Sequence, residues 1–161
     1  MEELLTLARG LPQRSLAPGD AVIVDGESVG TLYVLLAGAL RVEKGGQLIT
    51  TVSEAGACVG EMSLLLGIPA TADVVANEAS VLAVIENAPA MLEQEAGLPL
   101  ALARLLAARL HVMTTYLADI KQQYADHEGG LGMVDVVLGS LMRSSGPRTT
   151  LGSERDPEPE Y

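Results

Sequence analysis

Between Val59 and Ala76 the chain compresses four structural signals into eighteen residues. Val59-Gly60 reads as a turn, and Glu61-Met62-Ser63-Leu64-Leu65-Leu66 as a short apolar helix. Gly67-Ile68-Pro69 then reads as a second turn, and Ala72 to Ala76 as a β-branched strand. A helix this short cannot stand alone in water. It must be held between strands, which points to a β framework with a helical insertion.

The residues before and after it supply that framework. Glu2 to Arg9 predicts a short amphipathic helix ended by Gly10. Ala21 to Asp25, Thr31 to Leu36, Leu40 to Glu43, Leu48 to Val52 and Ser80 to Ile85 read as strands. Lys44-Gly45-Gly46-Gln47 reads as a hairpin loop. Gly19, Gly26, Gly30, Gly38 and Gly56 stand where tight corners are expected. Short strands with regular Gly-rich turns predict a closed or sandwiched β structure. The triplet Leu64, Leu65 and Leu66 is read as core, and Cys58 as a small buried residue at a strand end.

After Glu86 the pattern turns helical. Ala88 to Ala96 predicts a short helix, and residues 99–127 one long helix opened by Pro99. Leu106, Leu110, Met113, Leu117, Ile120 and Tyr124 repeat at spacings of four and three, an a/d seam. Such a seam on a small domain predicts pairing with a second copy of the chain. Gly129-Gly130 should break the helix, and Met133 to Met142 predicts a further short one within 128–142. Residues 143–161, rich in Ser, Pro and charge, are expected to be a disordered tail.

Several function classes are disfavoured. The formal net charge is -11 with only 10 Lys and Arg, which opposes nucleic-acid binding. No apolar run reaches the ~18–20 residues of a membrane span. The acidic Met1-Glu2-Glu3 start is unlike an export signal, so the cytoplasm is the default expectation. His111, His127 and Cys58 form no metal-ligand pattern, and no nucleophile–base pair or phosphate loop is visible. No catalytic residue, metal or cofactor is therefore expected.

Gly60-Glu61-Met62-Ser63-Leu64-Leu65 followed by Pro69-Ala70-Thr71-Ala72-Asp73-Val74 resembles the phosphate-binding cassette of the cyclic-nucleotide-binding domain family. Pro18-Gly19-Asp20, Gly26, Tyr33 to Val42 and Arg109-Leu110-His111-Val112 resemble further elements of that family in the same order. The resemblance covers about residues 5–127. It implies an α+β fold, a β jelly-roll flanked by N-terminal, cassette, hinge and long C-terminal helices, with residues 1–127 as the domain. It also implies site residues. Glu61 takes the position that binds the ribose 2′-hydroxyl, with Gly60 and the amides around Met62 and Ser63 beside it. Thr71 matches a hydroxyl that meets phosphate or a guanine edge. Arg109 matches a helix arginine that pairs with the cassette glutamate, and Met113 and Thr114 fall where side chains approach the base. Ala70 departs from the pattern, because it replaces the arginine that holds the cyclic phosphate. Asp73 adds a negative charge that either repels phosphate or points outward.

Two functions are compatible with these residues. One is a regulatory sensor binding cAMP, cGMP or a related small ligand. The other is a degenerate domain that serves as a dimerisation or docking module. A DNA-binding regulator fits less well, since about 34 residues follow His127.

Overall fold

The computed structural model describes residues 2–28, 30–123 and 132–141. The chain divides into two compact units, Met1–Ala107 and Ala108–Tyr161. In the first, helix α1 (Glu2–Ala8) precedes eight strands: β1 (Gln13–Leu16), β2 (Ala21–Ile23), β3 (Leu32–Ala37), β4 (Leu40–Lys44), β5 (Gln47–Val52), β6 (Cys58–Val59), β7 (Asp73–Ala76) and β8 (Ser80–Ile85). Helix α2 (Glu61–Leu66) is inserted between β6 and β7. Helices α3 (Ala88–Gln94) and α4 (Gly97–Gln123) follow β8.

The strands form two antiparallel four-stranded sheets in the orders β1-β8-β3-β6 and β2-β7-β4-β5. First strand pairs with last, second with seventh, third with both sixth and eighth, and fourth with both fifth and seventh. This nesting is a jelly-roll, as expected. Alternation along β3 separates two cores. Leu32 and Val34 face a cluster with Leu4 and Ala8 of α1 and Leu98, Leu102 and Leu105 of α4. Tyr33 and Leu35 face the interior of the roll, with Leu40, Val59, Val74 and Leu82. Each fully buried leucine here is worth ~1.5–3 kcal/mol of burial. Across the outer edge of the helical layer, Arg104 pairs with Glu3.

Several expectations need correction. β1 lies in a stretch for which no strand is expected, since three of its four residues are exposed and its sequence carries no apolar alternation. Lys44 and Gln47 are strand residues paired with each other. Gly45 and Gly46 alone make the turn, with φ of 57° and 76°, a two-residue hairpin connection. Gly30 lacks the positive φ seen at Gly19, Gly26, Gly38 and Gly56. The triplet on α2 is not core throughout. Leu64 packs against the first cluster, whereas Leu65 is 47% and Leu66 64% exposed. A two-turn helix lying on a sheet edge can turn only one residue per turn inward.

The second unit contains the end of α4 and helix α5 (Gly132–Leu141). Of the a/d seam, Leu110 and Met113 are exposed and Leu117 and Ile120 half-buried. The expected Gly129-Gly130 break, the seam residue Tyr124, the helix end beyond Gln123 and the 143–161 tail lie outside the described residues. Among the described residues no single helix is long and apolar enough to cross a membrane.

Candidate functional site

The cassette is built from backbone conformations that its glycines permit. Gly60 caps α2 at φ 93° and Gly67 ends it at φ 65°, both left-handed. At the C-terminal end the Gly67 and Ile68 amides both donate to the Ser63 carbonyl, the latter at 3.1 Å. At the N-terminal end no side chain caps the helix. The Ser63 hydroxyl, buried, donates to the Pro69 carbonyl at 3.5 Å. Helix and following turn are thus tied into one piece.

Glu61 lies in the first turn of α2 and is 3% exposed, the one buried carboxylate among the described residues. A charged side chain is almost never buried without a reason in its surroundings. Met62, its neighbour, is exposed. Gly60, Glu61, Met62 and Ser63 stand consecutively at the start of α2.

Ala70 is clamped to the β2–β3 connection by two backbone hydrogen bonds. Its amide donates to Glu27 O and its carbonyl accepts from Gly26 N–H, both at 2.8 Å. It is 5% exposed and belongs to the apolar cluster inside the roll, with Val22, Ile23, Val59 and Val74. The position where the family pattern has arginine thus faces the roll interior here, as a methyl group. Thr71, the next residue, is exposed. Its carbonyl accepts a hydrogen bond from the Lys44 ammonium at 2.6 Å.

Asp73 has a partner within the protein. Its carboxylate accepts from the Asp25 backbone amide at 2.9 Å. The side chain is engaged in holding the turn after β2. Lys44 and Asp25 are the two cassette neighbours that sequence reasoning did not find. Alternation along Leu40-Arg41-Val42-Glu43-Lys44 was the available signal for the former. The Asp25–Asp73 contact spans 48 positions and has no local signature.

Two hollows border this unit. One of about 80 Å³, lined by Ile23, Glu27 and Tyr33 among others, adjoins the loop that clamps Ala70. It is smaller than the ~300–1,000 Å³ usual for a ligand pocket. An open one of about 500 Å³ lies between α1 and the start of α4, lined by Thr6, Leu7 and Leu100 but by no cassette residue.

Arg109, Met113 and Thr114 stand on α4 beyond Ala107, in the second unit. All but the half-buried Thr114 are exposed. The Thr114 hydroxyl donates back to its own helix, 2.9 Å from the Leu110 and His111 carbonyls. Among the described residues no group of three His, Cys, Asp or Glu side chains could hold a metal ion.

A family profile described as the cyclic nucleotide-binding domain matches residues 13–90, the roll and its cassette in full. This segment belongs to the cyclic nucleotide-binding domain family. The solved catabolite activator protein of Thermus thermophilus is similar at 26% identity, over 78% of this chain and 59% of that one, with a TM-score of 0.57. A cyclic nucleotide-binding domain from Methylobacillus flagellatus is similar in fold at 22% identity, over 80% of this chain and 84% of that one, with a TM-score of 0.53. The regulatory subunit of a cAMP-independent protein kinase A from Trypanosoma brucei shares 32% identity over 53% of this chain, with a TM-score of 0.47. The chain spans about a third of that subunit's length, 32%. No curated protein matches the chain. The segment's cyclic nucleotide-binding fold therefore stands on its own profile match, on its strand order and on the first two of these neighbours.

Proposed function

We propose that this cyclic nucleotide-binding domain is a regulatory sensor whose cassette takes a cyclic nucleotide, or a related small ligand, without an arginine. The observation that carries the reading is Glu61, a carboxylate kept inside the protein at the position the family uses for the ribose hydroxyl. Burying a carboxylate costs several kcal/mol unless it is paired or hydrogen-bonded. Thr71, after the turn that follows α2, is exposed. Gly60, Met62 and Ser63 would frame the sugar, and Thr71 the phosphate. Arg109, Met113 and Thr114 carry roles here only through the family pattern. Binding a ligand, not turnover, is the chemistry this residue set fits.

We further read the chain as a cytoplasmic homodimer formed along α4. Leu110 and Met113, the latter 58% exposed, leave the seam open on a single chain. Pairing two copies would remove that surface from water.

One observation favours the second reading, a domain that has lost its ligand and serves as a docking module. Ala70 fills the roll interior with a methyl group where a charge-assisted phosphate contact would otherwise arise. Calorimetric titration of the native chain with cAMP and cGMP, alongside Ala70→Arg, separates the two. Heat with the native chain supports a sensor. No heat with the native chain, and binding regained in Ala70→Arg, supports the docking module.

A further inference from the structure

The Lys44 ammonium bonds to the backbone of the cassette at Thr71, and no carboxylate among the described residues pairs with it. Lys44 ends β4 on the same side of the strand as Leu40 and Val42, which belong to or pack against the interior cluster. The alternate residues Arg41 and Glu43 pair with each other instead. The ladder between β4 and β7 is regular through Glu43↔Asp73, whereas the ladder between β4 and β5 shifts register between Val42 and Glu43, and Lys44 at the strand end is exposed. From there the ammonium reaches the Thr71 carbonyl at 2.6 Å, one residue past Ala70.

The charges around it have other partners. Glu43 is taken by Arg41, and the Asp73 carboxylate accepts from the Asp25 amide. No ion pair joins Lys44 to a carboxylate among the described residues. Of the other cations on the strands, Arg14 bonds to the Ala21 carbonyl and Arg41 to Glu43. In a chain of net charge -11, an ammonium bonded only to a neutral carbonyl is a charge still open to an anion. Its four-carbon stem lets it turn from that carbonyl to a ligand oxygen without moving the strand.

We propose that Lys44 is the anion anchor of this cassette: its ammonium, hydrogen-bonded to Thr71, holds the phosphodiester of the ligand in place of a residue-70 side chain. The inference rests on the ligand-binding reading above. It names the ligand's chemical class as a singly charged phosphodiester nucleotide. The anchor comes from the neighbouring hairpin and not from the cassette itself.

The test titrates cAMP and cGMP, with adenosine and guanosine as uncharged controls, into the native chain, Lys44→Gln and Lys44→Arg. Thermal melts without ligand check that each variant is folded. Lys44→Gln is expected to weaken the cyclic nucleotide about 10- to 100-fold, the range of one charge-assisted hydrogen bond. Lys44→Arg should stay within a few-fold of native. The deficit of Lys44→Gln should shrink as salt is raised, because the contact is exposed. Any binding of the uncharged nucleosides should be unaffected by either variant. Equal affinity of Lys44→Gln and native for the cyclic nucleotide overturns the anchor while leaving the sensor reading intact. An equal loss for nucleoside and cyclic nucleotide also overturns it, since a phosphate contact cannot affect a ligand without phosphate. Absence of binding by the native chain overturns the sensor reading and the anchor together.

Discussion

The carboxylate of Asp73 accepts the backbone amide of Asp25 at 2.9 Å, and so fastens the start of β7 to the turn after β2. Asp25 stands directly before Gly26 and Glu27, whose backbone clamps Ala70. Removing the carboxylate should therefore loosen the cassette's far anchor. Asp73→Ala is expected to lower stability by ~1 kcal/mol, the net worth of a partly exposed hydrogen bond. Asp73→Asn keeps an acceptor oxygen and should lose less. Urea unfolding of both variants checks this, and equal losses would mean that charge and not the hydrogen bond matters.

Ala70→Arg places a long charged side chain where a methyl group is 5% exposed within an apolar cluster. Without ligand the variant should melt below the native chain, by the equivalent of ~1–3 kcal/mol of overpacking. With a cyclic nucleotide present, mass action on the tightened site should raise the melting temperature again. Differential scanning fluorimetry with and without 1 mM-scale ligand (about 1 mM) reads both effects. A variant as stable as native without ligand would show that residue 70 can turn outward at no cost.

Gly38 is held at φ +91°, and a Cβ there would stand 2.3 Å from Ser80 Oγ and 2.6 Å from the Ala79 carbonyl. Ser80 cannot give way freely. Its hydroxyl accepts from the Ala39 amide at 3.1 Å and lies 2.8 Å from the Glu78 carbonyl, to which it donates. Gly38→Ala adds left-handed strain to a steric clash, and should cost ~2 kcal/mol or more. Gly45→Ala, with open space around its Cβ, should cost only the ~1 kcal/mol of the backbone conformation. Denaturation midpoints that place the two variants together would remove the clash from the account.

Leu102 and Leu66 make a matched pair of truncations. Leu102 is 1% exposed in the cluster between β3 and the helices, and Leu66 is 64% exposed on α2. Leu102→Ala should cost ~2–5 kcal/mol through cavity formation. Leu66→Ala should stay within ~0.5 kcal/mol. A large loss at Leu66 would mean that α2 is covered in solution, by a second chain or a partner.

Met113→Asp and Leu110→Asp place charges on the open seam of α4. Both should shift the chain from dimer to monomer in sedimentation velocity at micromolar concentration. A native chain that already sediments as a monomer there would remove the homodimer from the proposed function.

The jelly-roll was legible because each half of its signature is local. Gly45-Gly46 and the capping glycines of α2 announce turns, and β3 and β8 carry unbroken β-branched and apolar runs. β1 and β6 were harder for opposite reasons. Gln13-Arg14-Ser15 offers no apolar alternation, and Cys58-Val59 is only two residues long. Both are strands because partners on β8 and β3 make them so. The cassette's residues were legible through the family pattern. What escaped was the chemistry supplied from elsewhere. Lys44 approaches Thr71 across 27 positions and Asp25 approaches Asp73 across 48, distances at which sequence carries no spacing rule. The exposure of Leu65 and Leu66 escaped as well, since apolar character reports a preference for burial but not the room available.

The nesting of the strands also sets the order in which the molecule can assemble. Gln13 of β1 pairs with Ala83 of β8, 70 positions later (83 minus 13), and Ala21 of β2 pairs with Val75 of β7. On a ribosome working at ~5–20 residues per second, the first strand waits several seconds for its only neighbour to be made. During that wait only the β4–β5 hairpin, closed by Gly45-Gly46, has a complete local partner. The hairpin that presents Lys44 is thus the natural seed around which the rest of the roll is wrapped; its own sheet becomes whole when β7 arrives, and the other only when β8 does.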